Sequence, residues 1–134
     1  MKIEKTAKKR HGLSCFSKKP ALSKQPLLDN SQASELAAVF ETLCNQTRLR
    51  LLHVIARDGE ASPSDLAAAI QMKPQAVCNQ LQRLADREII ESRRVGNNVF
   101  YRIVDPCVID LLERGLWLLE DSKIRRAKTT KGIQ

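Results

Sequence analysis

The sequence predicts a mainly α-helical domain interrupted by one small β-hairpin, and three observations predict it. Between residues 30 and 88, apolar residues recur at helical spacing, with capping residues and breakers between the runs. From Ile89 to Val104 the pattern turns extended on either side of Gly96-Asn97-Asn98, and after Asp105-Pro106 a long helical stripe resumes. A chain of 134 residues, 43% of them apolar, builds one modest core rather than two, so one domain with tails is expected.

Each element follows from local signals. Residues 1–30 mix Lys and Ser around Pro20 and Pro26 with almost no periodicity, which predicts a basic, largely disordered arm. The folded domain, 31–122, opens with a first helix whose Leu36, Val39, Phe40 and Leu43 share one face. Asn45 or Thr47 can cap a short second helix that buries Leu51, Leu52, Ile55 and Ala56 and ends at Asp58-Gly59, because Gly tolerates the left-handed conformation. His53 falls among these apolar residues and is expected to be a hydrogen-bonded core histidine. Ser62-Pro63-Ser64-Asp65 joins a Ser cap, Pro at the first helical position and an acid three residues after the cap, so a third helix starts there and runs to about Gln71. Pro74 opens a fourth, carrying Val77, Leu81 and Leu84 on one face. Two short helices joined by so tight a turn form a helix-turn-helix.

The hairpin after it completes a winged helix-turn-helix. Asp105-Pro106 then starts a last long helix with Ile109, Leu112, Leu116 and Leu119 on a stripe that so small a domain leaves without a partner. That stripe predicts a dimer, with Leu112, Leu116 and Leu119 at the interface and the first helix contributing; packing back on the first helix is the competing arrangement, and both can hold together.

Charge is unevenly placed. Of the formal +8, residues 1–26 hold +7 and the basic tail 123–134 holds +5, leaving the domain at −4. Basic tails of this kind touch nucleic acid or simply keep an arm solvated. No apolar run follows the N-terminal lysines and none approaches the roughly 18 residues that span a membrane, so a cytoplasmic protein without membrane contact is expected.

The winged arrangement puts the second helix of the pair in the major groove and the hairpin along the backbone or minor groove of double-stranded DNA. With Val77, Leu81 and Leu84 inward, Gln75, Ala76, Asn79, Gln80 and Arg83 are expected outward. Asn and Gln pair with adenine, Arg with guanine, and Ala touches a thymine methyl. Arg93, Arg94 and Arg102, around a tip holding Asn97 and Asn98, suit phosphate or minor-groove contact.

The runs Leu43-Cys44-Asn45-Gln46-Thr47-Arg48-Leu49-Arg50-Leu51-Leu52 and Gln75-Ala76-Val77-Cys78-Asn79-Gln80-Leu81, with the hairpin ending Val99-Phe100-Tyr101-Arg102, closely resemble the ArsR/SmtB family of repressors over about residues 33–121. The resemblance implies a homodimer on a near-palindromic operator, released when an inducer, often a metal or metalloid ion, binds. The inducer sites of the family are incomplete here. Ser62 and Ser64 stand where thiolate sensors carry Cys-x-Cys, and the zinc-sensor pattern on the last helix meets Asp105, Cys107, Leu118 and Asp121, of which Leu118 cannot ligate a metal.

Four cysteines, Cys15, Cys44, Cys78 and Cys107, lack any C-x-x-C, which points to free thiols rather than a disulfide framework. Thiolates from Cys107, with Cys44 or Cys15 as companion, would take a soft metal or metalloid ion. The same residues could instead form a redox switch, or pack as small hydrophobes. Cys107 leads because the resemblance puts it at a ligand position and because the first turn of a helix stabilises a thiolate. An enzyme is not expected, since no Gly-rich phosphate loop, H-E-x-x-H or G-x-S-x-G occurs. A winged-helix docking module without DNA binding is the other class, and acids on the outward face of the fourth helix would mark it.

Overall fold

The computed structural model describes residues 19–133. A single 3-10 turn, Leu22–Lys24, precedes five α-helices and a hairpin: α1 (Asn30–Leu43), α2 (Gln46–Asp58), α3 (Pro63–Ile70), α4 (Pro74–Asp86), β1 (Ile90–Val95), β2 (Asn98–Ile103) and α5 (Pro106–Ile133). Caps set most boundaries. The Asp29 carboxylate accepts from the backbone N–H of Gln32 and the Gln32 side chain accepts from that of Asp29, a reciprocal capping box. Asn45 caps α2 through the Arg48 N–H, and Gly59 closes it at φ 85°. Ser62 caps α3 through the Asp65 N–H, and Asp105 Oδ1 accepts from the Cys107 N–H at the start of α5.

The turn between α3 and α4 is made by Gln71 in the left-handed conformation, φ 55°, a position that the sequence does not mark with Gly or Asn. Gly96 at φ 60° turns the hairpin, whose register runs from Ile90 opposite Ile103 to Val95 opposite Asn98. A further short bridge lies on the far side of β2. Ala61 and Tyr101 exchange both backbone hydrogen bonds, so the extended residues before α3 tie the wing to the helix pair.

The core gathers Leu51, Leu52 and Ile55 of α2, Leu66, Ala67 and Ile70 of α3, Val77, Leu81 and Leu84 of α4, and Ile90, Ile103 and Val108 at the hairpin base and the start of α5. Each large side chain enclosed there is worth about 1.5–3 kcal/mol of burial. His53 is exposed, contrary to the expected core histidine, because it lies off the arc formed by residues 51, 52 and 55.

Two apolar surfaces stay outside this core. On α1 only Leu43 is buried, while Leu36, Val39 and Phe40 are exposed. On α5 the predicted stripe divides: Ile109 and Leu112 pack against the protomer's own core, and Leu116 and Leu119, with Trp117 and Leu118, remain in the open. The basic stretch from Lys123 continues α5 as helix to Ile133. Among the described residues no helix is long and apolar enough to cross a membrane.

Candidate nucleic-acid interface

Helix α4 is held by its buried stripe of Val77, Leu81 and Leu84, which turns Gln75, Asn79 and Arg83 outward, all three exposed. Successive members of this trio are four residues apart and therefore share one face. Gln75 donates from Nε2 to Asn79 Oδ1 at 3.2 Å, leaving the Asn79 amide group free to donate. The one acid of α4, Asp86, lies on the same face three residues beyond Arg83, in the last turn, where it accepts from Gln82 at 2.8 Å, and none stands beside Gln75, Ala76 or Asn79. Ala76 and Gln80 are half-buried instead of fully outward. The Gln80 carbonyl oxygen accepts from an Arg48 guanidinium nitrogen at 2.8 Å, a contact across 32 residues of sequence. Arg83 also lines an open cleft together with Glu41, Thr42, Arg48, Asp86 and Arg87.

The wing arginines divide. Arg93 forms a fork with Glu60, Nε to Oε2 at 3.2 Å and a terminal nitrogen to Oε1 at 2.5 Å, and its guanidinium lies 6.0 Å from the Phe100 ring centre. Arg102 reaches Glu91, its cross-strand neighbour, at 2.6 Å. Arg94 lies on the opposite face of the hairpin, exposed, and enters none of the ion pairs among the described residues. Asn97 and Asn98 are exposed at the tip. Glu60 as the partner of Arg93 was not foreseen; the one available signal was its place in the short extended run before the Ser62 cap.

The cysteines do not gather. Cys44 ends α1 and Cys78 lies on α4, both exposed and free, so neither packs as a buried hydrophobe. Cys107 is half-buried in the first turn of α5 and its sulfur is in a disulfide, in contrast to the free thiols expected from the spacing. Cys15 lies outside the described residues. Among the described residues no group of three His, Cys, Asp or Glu side chains is placed to hold a metal ion.

Two short helices joined by a tight turn, with a hairpin wing after them, define a winged helix-turn-helix domain. The chain belongs to the ArsR/SmtB family of transcriptional regulators. The MarR family model matches residues 45–98, from the cap of α2 to the first residue of β2. A transcriptional repressor SmtB homolog of Synechocystis is 40% identical over 80 residues, which cover 60% of this chain and 60% of that protein, so the match spans less than two thirds of that relative. The crystal structure of AntR, an antimony-specific transcriptional repressor, is 54% identical, covers 81% of this chain and 98% of that one, and superposes with a TM-score of 0.69. The homodimeric winged helix-turn-helix DNA-binding domain of Mb0332 from Mycobacterium bovis, a possible ArsR-family regulator, is 26% identical over 72% of this chain and 92% of that one, with a TM-score of 0.61.

Proposed function

We propose that this protein is a homodimeric repressor that reads a near-palindromic DNA operator with α4 and leaves it when Cys107 engages a soft metalloid ion. The observation that carries DNA reading is the exposed row of Gln75, Asn79 and Arg83 on a helix fixed from behind by its buried stripe, with Asp86 the one acid on that face, at its C-terminal end. Side chains of these types match base edges in the major groove, and Arg94, Asn97 and Asn98 on the wing supply backbone contacts.

Two copies are needed because one recognition helix covers one half-site. The exposed Leu116 and Leu119 of α5, with Leu36, Val39 and Phe40 of α1, offer the apolar area that a second copy would cover, and the homodimeric state of Mb0332 supports this.

For the inducer, the 54% identity to an antimony-specific repressor and the affinity of thiolates for soft ions support a metalloid. Cys107, in the first turn of α5, stands between the wing and the proposed dimer interface further along that helix, where a ligand could change the angle between the two recognition helices. Cys15 is the companion we favour over Cys44, which is free at the far end of α1. Redox control is the second reading, favoured by the disulfide at Cys107.

Titration of the fully reduced protein on its selected DNA decides between the two. Release by antimony(III) tartrate under reducing conditions supports the metalloid; release by peroxide alone supports the redox switch; retention under both removes Cys107 from the mechanism.

A further inference from the structure

We infer that Arg48 is a positioning residue for sequence recognition: it fixes the amide of Gln80 so that the Gln80 NH2 group, and not its carbonyl, is offered to the DNA. This rests on the reading of α4 as the recognition helix.

Arg48 sits at a junction of three helices. Its backbone N–H is capped by Asn45 at 3.0 Å, which places the side chain in the first turn of α2. A cation there opposes the dipole of its own helix, so its placement has to be supported from outside. The support is specific. Arg48 Nε donates to the Thr42 carbonyl at 2.6 Å, in the last turn of α1, where orphan carbonyls and the negative end of that helix both favour a cation. A second guanidinium nitrogen donates to Gln80 Oε1 at 2.8 Å. The group is half-buried, so these bonds are not freely exchanged for water.

The chemistry then selects the Gln80 orientation. A guanidinium has five donors and no acceptor, so only the oxygen end of an amide can face it. The amide cannot flip without placing NH2 against a cation. Gln80 Nε2, with two donors, is therefore directed away from Arg48. An unrestrained glutamine could present either end, and holding one end forward turns an adaptable side chain into a selective one. Together the two bonds tie α4, through Arg48 of α2, to the end of α1.

The test is enrichment of a randomised double-stranded DNA library by the full-length protein, followed by binding to the enriched sequence and to each of its single base-pair variants. Arg48→Ala and Gln80→Ala should lose preference at the same base pair of each half-site, by roughly tenfold, with the other positions unchanged and no further loss in the double variant. Arg48→Lys, which keeps a donor, should restore part of the preference. Gln80→Glu keeps a partner for Arg48, and hence the fold, but lacks the NH2 donors, and should lose the preference as well. Three results would overturn the inference: a uniform loss of affinity for all sequences in Arg48→Ala, which makes Arg48 a phosphate contact; an unchanged base profile in that variant; or a Gln80→Glu profile like the wild type. If the wild-type protein enriches no sequence, the DNA-reading assignment fails and this inference falls with it.

Discussion

Replacing Leu116 with Glu should convert the protein into a monomer that keeps its fold. Leu116 is 50% exposed on α5. Half of the roughly 1.5–3 kcal/mol available from burying a Leu is therefore still to be gained, about 1 kcal/mol per protomer. A two-fold interface counts every change twice. The carboxylate adds its own cost, because an unpaired charge taken out of water loses several kcal/mol even after relaxation. Taking about 2.5 kcal/mol for each charge and about 1 kcal/mol for each lost Leu, the dimer is weakened by about 7 kcal/mol, or roughly five orders of magnitude in its dissociation constant. Sedimentation equilibrium at micromolar concentration reads the outcome directly. The variant should still melt cooperatively, since Leu116 lies outside the core, but at a lower and concentration-independent temperature, because the stabilisation by association is gone. A variant that sediments as a dimer would refute the assignment of α5 to the interface.

Alanine at Asn79 should cost about 1–3 kcal/mol on the selected sequence and little on random DNA, read by fluorescence anisotropy. Alanine at Arg94 should weaken both and reduce the salt slope of binding by about one unit, whereas Arg93 and Arg102, held by Glu60 and Glu91, should change that slope less. Cys107→Ser should bind the selected DNA normally and fail to leave it with antimony(III) tartrate or peroxide; normal release by either agent would show that Cys107 is only packed. Leu81→Ala, at 0% exposure in the middle of the core, should lose about 2–5 kcal/mol and lower the melting temperature by about 10–30 °C.

The elements were legible wherever their signals were local. Ser62-Pro63, Asp58-Gly59 and Asp105-Pro106 mark helix ends through bonds that span two to four residues, and the stripe of Val77, Leu81 and Leu84 fixes which side of α4 is covered. What sequence reasoning missed depends on partners distant in the chain. Gln80 reads as outward until Arg48, 32 residues earlier, is seen to hold it, and Arg93 reads as a free wing cation until Glu60 is placed beside it by the bridge between Ala61 and Tyr101. Leu112 belongs by spacing to the stripe with Leu116, yet it packs on its own core because α5 leaves the domain surface only after that turn. The left-handed Gln71 had no sequence signal, since the position that ends α3 in this conformation holds neither Gly nor Asn.

The most direct test of the central claim is the binding of the reduced, wild-type protein to a DNA sequence enriched from a random library, with and without antimony(III) tartrate. The account predicts an inverted repeat whose half-sites lie about 10 base pairs, roughly 34 Å, apart or a multiple of that. It also predicts one dimer bound per repeat and release when the metalloid is added. Enrichment of a single unpaired half-site, or of no sequence, would contradict it.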